Sequence, residues 1–137
     1  MTRAGARVAE AAAAMIGTRF RLHGRHPRHG LDCVGLVVCA LAASGHPIKL
    51  PMGYRLRNNS IESQLAAVAA GDMVEVSGCL LPGDVVMAIP GPAQHHLLIA
   101  ETPNSYVHAD AGIGSVVRTF SPLPWPITRR WRIKPDI

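Results

Sequence analysis

Aromatic side chains are scarce in this 137-residue chain, which has two Trp, two Tyr and two Phe. No stretch interleaves them with clustered Lys or Arg, and no nucleic-acid-binding motif is visible, which argues against a nucleic-acid partner. Long apolar runs are also missing. The longest, Cys33 to Ala43, is too short to cross a bilayer, so no membrane insertion is expected. Cysteine is sparse and odd in number (Cys33, Cys39, Cys79), with no pair at metal-ligand spacing. That excludes a disulfide framework and leaves at least one free thiol to explain. Acidic residues are the minority: 9 Asp and Glu stand against 14 Lys and Arg, for a formal net charge of +5. Such a surface attracts anions, and nucleic acid, an anionic membrane or an acidic polymer such as a bacterial cell wall would each satisfy it.

What is present is globular. Apolar residues make up 48% of the chain and charged residues 17%, and the length suits one compact domain over residues 1–137. Met1 to Gly17 begins with Arg3 and Arg7 before an Ala-rich stretch, superficially like an export signal. Glu10 interrupts it and no cleavage region follows, so it reads as a helix of the domain, made in the cytoplasm without a leader. Val8, Ala11, Ala12 and Met15 share one helical face, and Gly17 is a stop. Thr18 to Leu31 is a basic, His-rich loop. Cys33, Leu36, Val37, Ala40 and Leu41 then mark a buried helical face, capped by Asp32 and ended by Gly45. A third helix is expected after Asn59, lined by Ile61, Leu65 and Val68.

Beyond Gly71 the period changes to that of strands. Val85 to Ile89 follows the turn Leu81-Pro82-Gly83-Asp84. His96 to Ala100 and Tyr106 to Ala109 form a hairpin across Thr102-Pro103-Asn104. Ser115 to Thr119 follows, and Arg130 to Ile133 alternates like an edge strand. Helices first and an antiparallel sheet afterwards is an α+β arrangement.

Cys33 lies where a turn meets the first turn of a helix. The partial positive charge there favours thiolate, and Arg21, Arg25 and Arg28 add to the bias. Gly30 and Gly35 leave room for a substrate backbone. Cys39, mid-helix, and Cys79, beside a turn, have no charged environment and read as structural. A thiolate needs a base, and the base an orienting partner. His23, His26, His29 and His46 lie in Arg- and Pro-rich loops and read as solvated surface. His95, His96 and His108 fall on strands. In a hairpin centred on Thr102, His96 and His108 face each other with Cβ atoms about 5 Å apart. A register one residue different would set His95 opposite His108 instead, and the sequence leaves both open. A zinc site is the weaker reading, because the Cys and His residues show neither C-x2-C nor H-x3-H spacing.

The run Asp32-Cys33-Val34-Gly35-Leu36-Val37 resembles the Asp-Cys-Ser-Gly-Leu-Val nucleophile motif of the NlpC family of cell-wall cysteine peptidases. Four further blocks are similar in order and spacing. Pro82-Gly83-Asp84-Val85-Val86 resembles the family's Pro-Gly-Asp-Leu-Val strand, and His96 to Ala100 its His-Val-Gly-Ile-Tyr strand. Tyr106-Val107-His108-Ala109 resembles Phe-Ile-His-Ala, and Gly17 to Gly24 resembles the loop before the motif. The Asp-Cys-Val-Gly variant is most similar to peptidases of phage tails and gene transfer agents.

The resemblance implies a papain-like α+β domain without metal or cofactor, acting on amide bonds of peptidoglycan stem peptides. It makes Cys33 the nucleophile, His96 the general base and His108 the residue that orients His96. It also implies delivery to the wall by a phage-tail-like particle. Substrate-side roles fall to Asp32, Phe20, Arg21 and Val34. Phe20 stands where many members have Tyr, leaving Arg21 or His23 to supply the missing donor. Val34 stands in for the Ser that, with the Asp, holds a substrate amine. The competing readings are a weakly active assembly component of a tail tip, and a thiol hydrolase on non-wall amides or esters.

Overall fold

The computed structural model describes residues 3–48, 73–92 and 94–134; the helix expected after Asn59 lies outside them. The first helix, α1, spans Arg3–Ala14 and buries Ala4, Gly5, Val8, Ala9 and Ala12. Small residues on that face let it lie close to its neighbours. The closest approach is at Gly83, whose positive φ of 91° and missing Cβ admit the Gly5 backbone; an added Cβ would stand 2.2 Å from the Gly5 carbonyl oxygen.

The basic loop contains a two-stranded hairpin, β1 (Arg25–His26) and β2 (Gly30–Leu31). Helix α2, Cys33–Ala43, follows directly. Asp32 caps it, with Oδ1 accepting from the Gly35 N–H at 2.8 Å, and Gly45 ends it at a φ of 89°. Its first five residues are all buried, which suits a helix apolar on every side.

The second half is a six-stranded antiparallel sheet in the order β3-β8-β4-β5-β6-β7. The strands are β3 (Met73–Glu75), β4 (Val85–Ala88), β5 (His96–Thr102), β6 (Ser105–Asp110), β7 (Ser115–Phe120) and β8 (Ile127–Ile133). Val85, Met87, Leu97, Ile99, Val107, Ala109 and Val116 join the two helices in one core cluster. Val86, Ala88, Leu98, Ala100 and Tyr106 form a second, covered by Leu80, Leu123, Trp125 and Ile127. The Pro-rich segment before β8 therefore serves as a lid on that second cluster.

Two expectations need correction. The strand at 130–133 is not an edge: β8 runs between β3 and β4, and the short β3, which the sequence reading had not identified, is the border. The interior strand β8 tolerates its arginines because carboxylates meet them. Arg129 pairs with Glu75, and Arg132 grips the fully buried Asp84 through Nε and a terminal nitrogen, both at 2.8 Å. The β5–β6 hairpin is also offset. Its turn is Pro103-Asn104, and the pairs are Ile99 with Val107 and Ala100 with Tyr106. Continuing that register sets His96 across from Asp110 and His108 across from Leu98. The histidines are diagonal neighbours on one face rather than direct partners.

Asp84 also accepts from the Leu81 N–H at 2.9 Å, so it ties the turn before β4 to β8. Removing its guanidinium would strand a buried carboxylate. We expect Arg132→Met to cost about 3 kcal/mol in urea unfolding, and Asp84→Asn/Arg132→Met to cost less than the single change. Unchanged stability in the single variant would show that the pair is idle.

Candidate active site

Cys33 is the first residue of α2, and its side chain is 1% exposed. Three backbone N–H groups converge on the thiol: those of Leu97, Val34 and Cys33 itself. Leu97 follows His96 directly, so the helix start and the start of β5 meet at the sulfur. The same three donors favour thiolate, yet they lose. Burial pushes the Cys33 thiol up to about 12, and the neighbouring Asp32 charge adds to the rise. The sequence expectation of a thiolate-biased cysteine is thus reversed. Arg21 and Arg28 are exposed to solvent, whereas the sulfur is not.

His96 Nε2 lies 2.9 Å from His108 Nδ1, with the rings perpendicular. His108 is 1% exposed, and its Nε2 lies 2.7 Å from Thr119 Oγ1. Trp125 stands edge-to-face against both imidazoles at 5.5 and 5.8 Å. Burial lowers His96 to about 4, with His108 pushing the same way and Asp110 opposing. Burial likewise lowers His108, again against Asp110. The even offset in register keeps His96 and His108 on one face, which selects His96 over His95 as the partner of His108. His95 is itself buried, just before β5. A cavity of about 260 Å³, lined by Gln94, His96, Asp110 and Trp125 among others, opens beside the pair.

The expected substrate-side residues are placed differently. Both Asp32 oxygens accept backbone N–H bonds, Oδ1 from Gly35 and Oδ2 from His23, each at 2.8 Å. The carboxylate therefore caps the helix and staples the loop. Val34 is 1% exposed and belongs to the main core, contributing to the thiol only its backbone N–H. Phe20 packs against the same core, and its N–H donates to the Gly114 carbonyl. Arg21 is exposed on a cavity formed by the β1–β2 hairpin.

The room at Gly30 and Gly35 is not for substrate. A Cβ on Gly35 would stand 1.9 Å from the Gly24 carbonyl oxygen, and one on Gly24 would stand 2.2 Å from that of Gly30. These glycines let the hairpin backbone lie directly on the first turn of α2. Cys39, expected to lack a charged neighbour, donates its thiol to the Arg25 carbonyl at 3.1 Å and feels the Arg25 charge. Cys79 is exposed, and all three cysteines are free. Among the described residues no group of three or more His, Cys, Asp or Glu could hold a metal ion, and no helix is long and apolar enough to cross a membrane.

Sequence reasoning missed Thr119 and Trp125. Thr119 pairs with Tyr106 in the β6–β7 ladder, diagonal to His108, and alternation from Val117 would have put it on the histidine face. Trp125 arrives on the lid segment, which no periodicity places.

No protein-family model and no curated protein matches the sequence. Solved structures do match. NlpC2 from Trichomonas vaginalis is 19% identical with a TM-score of 0.69, over 94% of this chain and 48% of its own. The NlpC/p60 domain of the peptidoglycan hydrolase SagA is 25% identical with a TM-score of 0.65, over 94% and 98%. The P60 domain of antigen MAP1204 from M. avium subspecies paratuberculosis is 17% identical with a TM-score of 0.64, over 94% and 93%. The chain spans about half the length of the Trichomonas proteins it matches. Its structural neighbours are NlpC/p60 domains, and its fold is the papain-like α+β arrangement.

Two measurements follow from this geometry. A thiol raised by burial is scarcely ionised at neutral pH, so the rate of Cys33 alkylation by iodoacetamide should keep climbing above pH 9. A plateau already reached by pH 7 would mean that a thiolate–imidazolium pair exists in the free protein. Gly35→Ala forces the hairpin off the helix and should cost about 2 kcal/mol in denaturant unfolding; a neutral effect would show that the loop yields freely.

Proposed function

We propose that this chain is a cysteine peptidase that hydrolyses amide bonds in peptidoglycan stem peptides, with Cys33 as nucleophile, His96 as general base and His108 as the group that orients His96. The observation that carries the reading is the meeting of the Cys33 thiol with the N–H of Leu97, one residue beyond a histidine whose Nε2 is already held at 2.9 Å by His108. That bond leaves Nδ1 of His96 as the nitrogen for the thiol proton. The likeness to the SagA domain supports the wall as substrate.

A single set of tautomers serves this role. His96 carries its proton on Nε2 and donates to His108 Nδ1; His108 then carries its own on Nε2 and donates to Thr119 Oγ1. In the reaction the Cys33 proton passes to His96 Nδ1 as sulfur attacks the carbonyl carbon. The tetrahedral oxyanion collapses, the C–N bond breaks, and the Nδ1 proton goes to the leaving amine. Water then gives a proton to Nδ1, adds to the thioester, and releases the acid and the Cys33 thiol. N–H donors at the start of α2 lie where the oxyanion would form, and losing one such donor costs on the order of a hundredfold in rate.

The neutral resting pair gives this mechanism a threshold. Substrate must supply the environment in which the proton moves, because the buried thiol does not ionise alone. The Asp32-Cys33-Val34-Gly35 variant supports the further reading that the domain reaches the wall as part of a phage-tail or gene-transfer-agent particle.

Muropeptide profiling tests the proposal. Cys33→Ala and His96→Ala should abolish cleavage, whereas His95→Ala should leave turnover within a few-fold. Thr119→Val should lower kcat about tenfold with little change in KM, because the tautomer chain loses its terminal acceptor. Intact muropeptides across several wall chemotypes with the wild-type protein would sink the reading.

A further inference from the structure

Between Glu10 and Asp32 the chain has no acidic residue, and from Arg19 to His29 it carries four arginines and three histidines. The mechanism above uses none of these side chains. The structure gathers Arg21, His23, Arg25, His26 and His29 around one open cavity of about 410 Å³ on the β1–β2 hairpin. No carboxylate and no Phe, Tyr or Trp lines it. The nearest acidic residue in sequence, Asp32, is fully buried, with both oxygens on backbone N–H groups.

The scaffold holding these groups is fixed. Arg25 pairs with Leu31 and His26 with Gly30 in the hairpin, while Gly24 N–H closes a tight turn on the Arg21 carbonyl at 2.8 Å. His23 adopts a left-handed φ of 62° with its N–H on Asp32. His26 Nδ1 accepts from the Arg28 N–H at 3.1 Å, which places the proton on Nε2 and makes that nitrogen a donor.

We propose that this cavity binds the phosphodiester groups of a base-free anionic polymer of the cell wall, of the poly(glycerol phosphate) kind. Several cations within one open groove exceed what a single carboxylate needs, and a repeating anion can meet them in succession. Guanidinium forks match phosphate oxygens in pairs, and imidazole N–H groups add donors. With no Trp, Tyr or Phe on the lining, single-stranded nucleic acid would have only imidazole rings to stack on. The choice of a wall polymer rests on the wall-hydrolase reading. The site is separate from Cys33, but Asp32 joins the two: it accepts one bond from the cavity loop and one from the nucleophile helix.

Binding is measured by calorimetry with the full-length Cys33→Ala protein, so that the outcome does not depend on catalysis. The probes are poly(glycerol phosphate), poly-glutamate and a single-stranded oligonucleotide of matched charge. Poly(glycerol phosphate) should bind more tightly than the other two. Its log affinity should fall against log salt with a slope of about −1.4, as for two phosphates neutralised by Arg21 and Arg25. Arg21→Gln/His26→Gln/His29→Gln, all on the cavity lining, should weaken it at least tenfold. The control Arg3→Gln/Arg7→Gln, on exposed positions of α1, should weaken it less than twofold. No binding at low salt, equal losses in the two variants, or a preference for poly-glutamate or the oligonucleotide would each overturn the proposal. Failure of wild-type muropeptide cleavage alongside normal polymer binding would count against the peptidase reading alone.

Discussion

One buried carboxylate holds the candidate site together. Asp32 is fully enclosed, and its two oxygens accept N–H bonds from opposite directions, one from inside α2 and one from the basic loop. The first bond fixes where the helix begins and so where Cys33 stands. The second fixes the loop, whose Gly24 carbonyl fits against Gly35 because neither position has a Cβ. A capping residue is usually worth about 1 kcal/mol. Here its removal would also take the acceptor from N–H groups of two elements, and would disturb Cys33 and the cationic hairpin together.

The same carboxylate works against the chemistry it positions. Its charge lies beside the Cys33 sulfur and, with burial, raises the thiol against three N–H donors that pull the other way. Burial also keeps His96 neutral. Desolvation acts on both partners toward the uncharged pair, and it exceeds the dipole of a helix terminus, which is worth about 1 kcal/mol at most sites. The resting state is therefore thiol and imidazole. The backbone donors are already aimed, so the proton transfer needs a change in the thiol's surroundings rather than a new constellation.

The sequence made α1, α2 and its cap, and the strands at 85–89, 96–100, 106–109 and 115–119 legible, because burial imposes its period on the residues. It left His95 and His96 both open as the partner of His108, and the resemblance to the NlpC family favoured His96. The two-residue offset in the hairpin left that conclusion intact, since strand faces alternate with period two and an even slip preserves them. Three readings failed for a common reason: they depended on tertiary partners. The alternation of Arg130 to Ile133 suggested an edge until β3 was seen to border the strand and Asp84 to take Arg132. Gly30 and Gly35 suggested substrate access, but their open faces are filled by the chain itself. Arginines near Cys33 in sequence suggested a thiolate, yet solvent screens the exposed ones while the sulfur is buried.

On the proposed mechanism His108 is an unusual orienting group, because a neutral imidazole is a weaker partner for a developing imidazolium than a carboxylate would be. His108 supplies direction: its Nδ1 can only accept once Nε2–H is committed to Thr119, and Trp125 borders both rings. The charge comes from elsewhere. Asp110, across the ladder from His96, raises both histidines against their burial. Direction and charge, combined in one residue in a histidine–carboxylate pair, are here divided between His108 and Asp110. The division suits the setting. A carboxylate touching His96 would have to be buried with the imidazole against His108 and Trp125. Asp110 sits at the end of β6, half exposed, with Oδ1 also accepting from the Ile113 N–H. From there its field reaches His96 while its own charge stays hydrated.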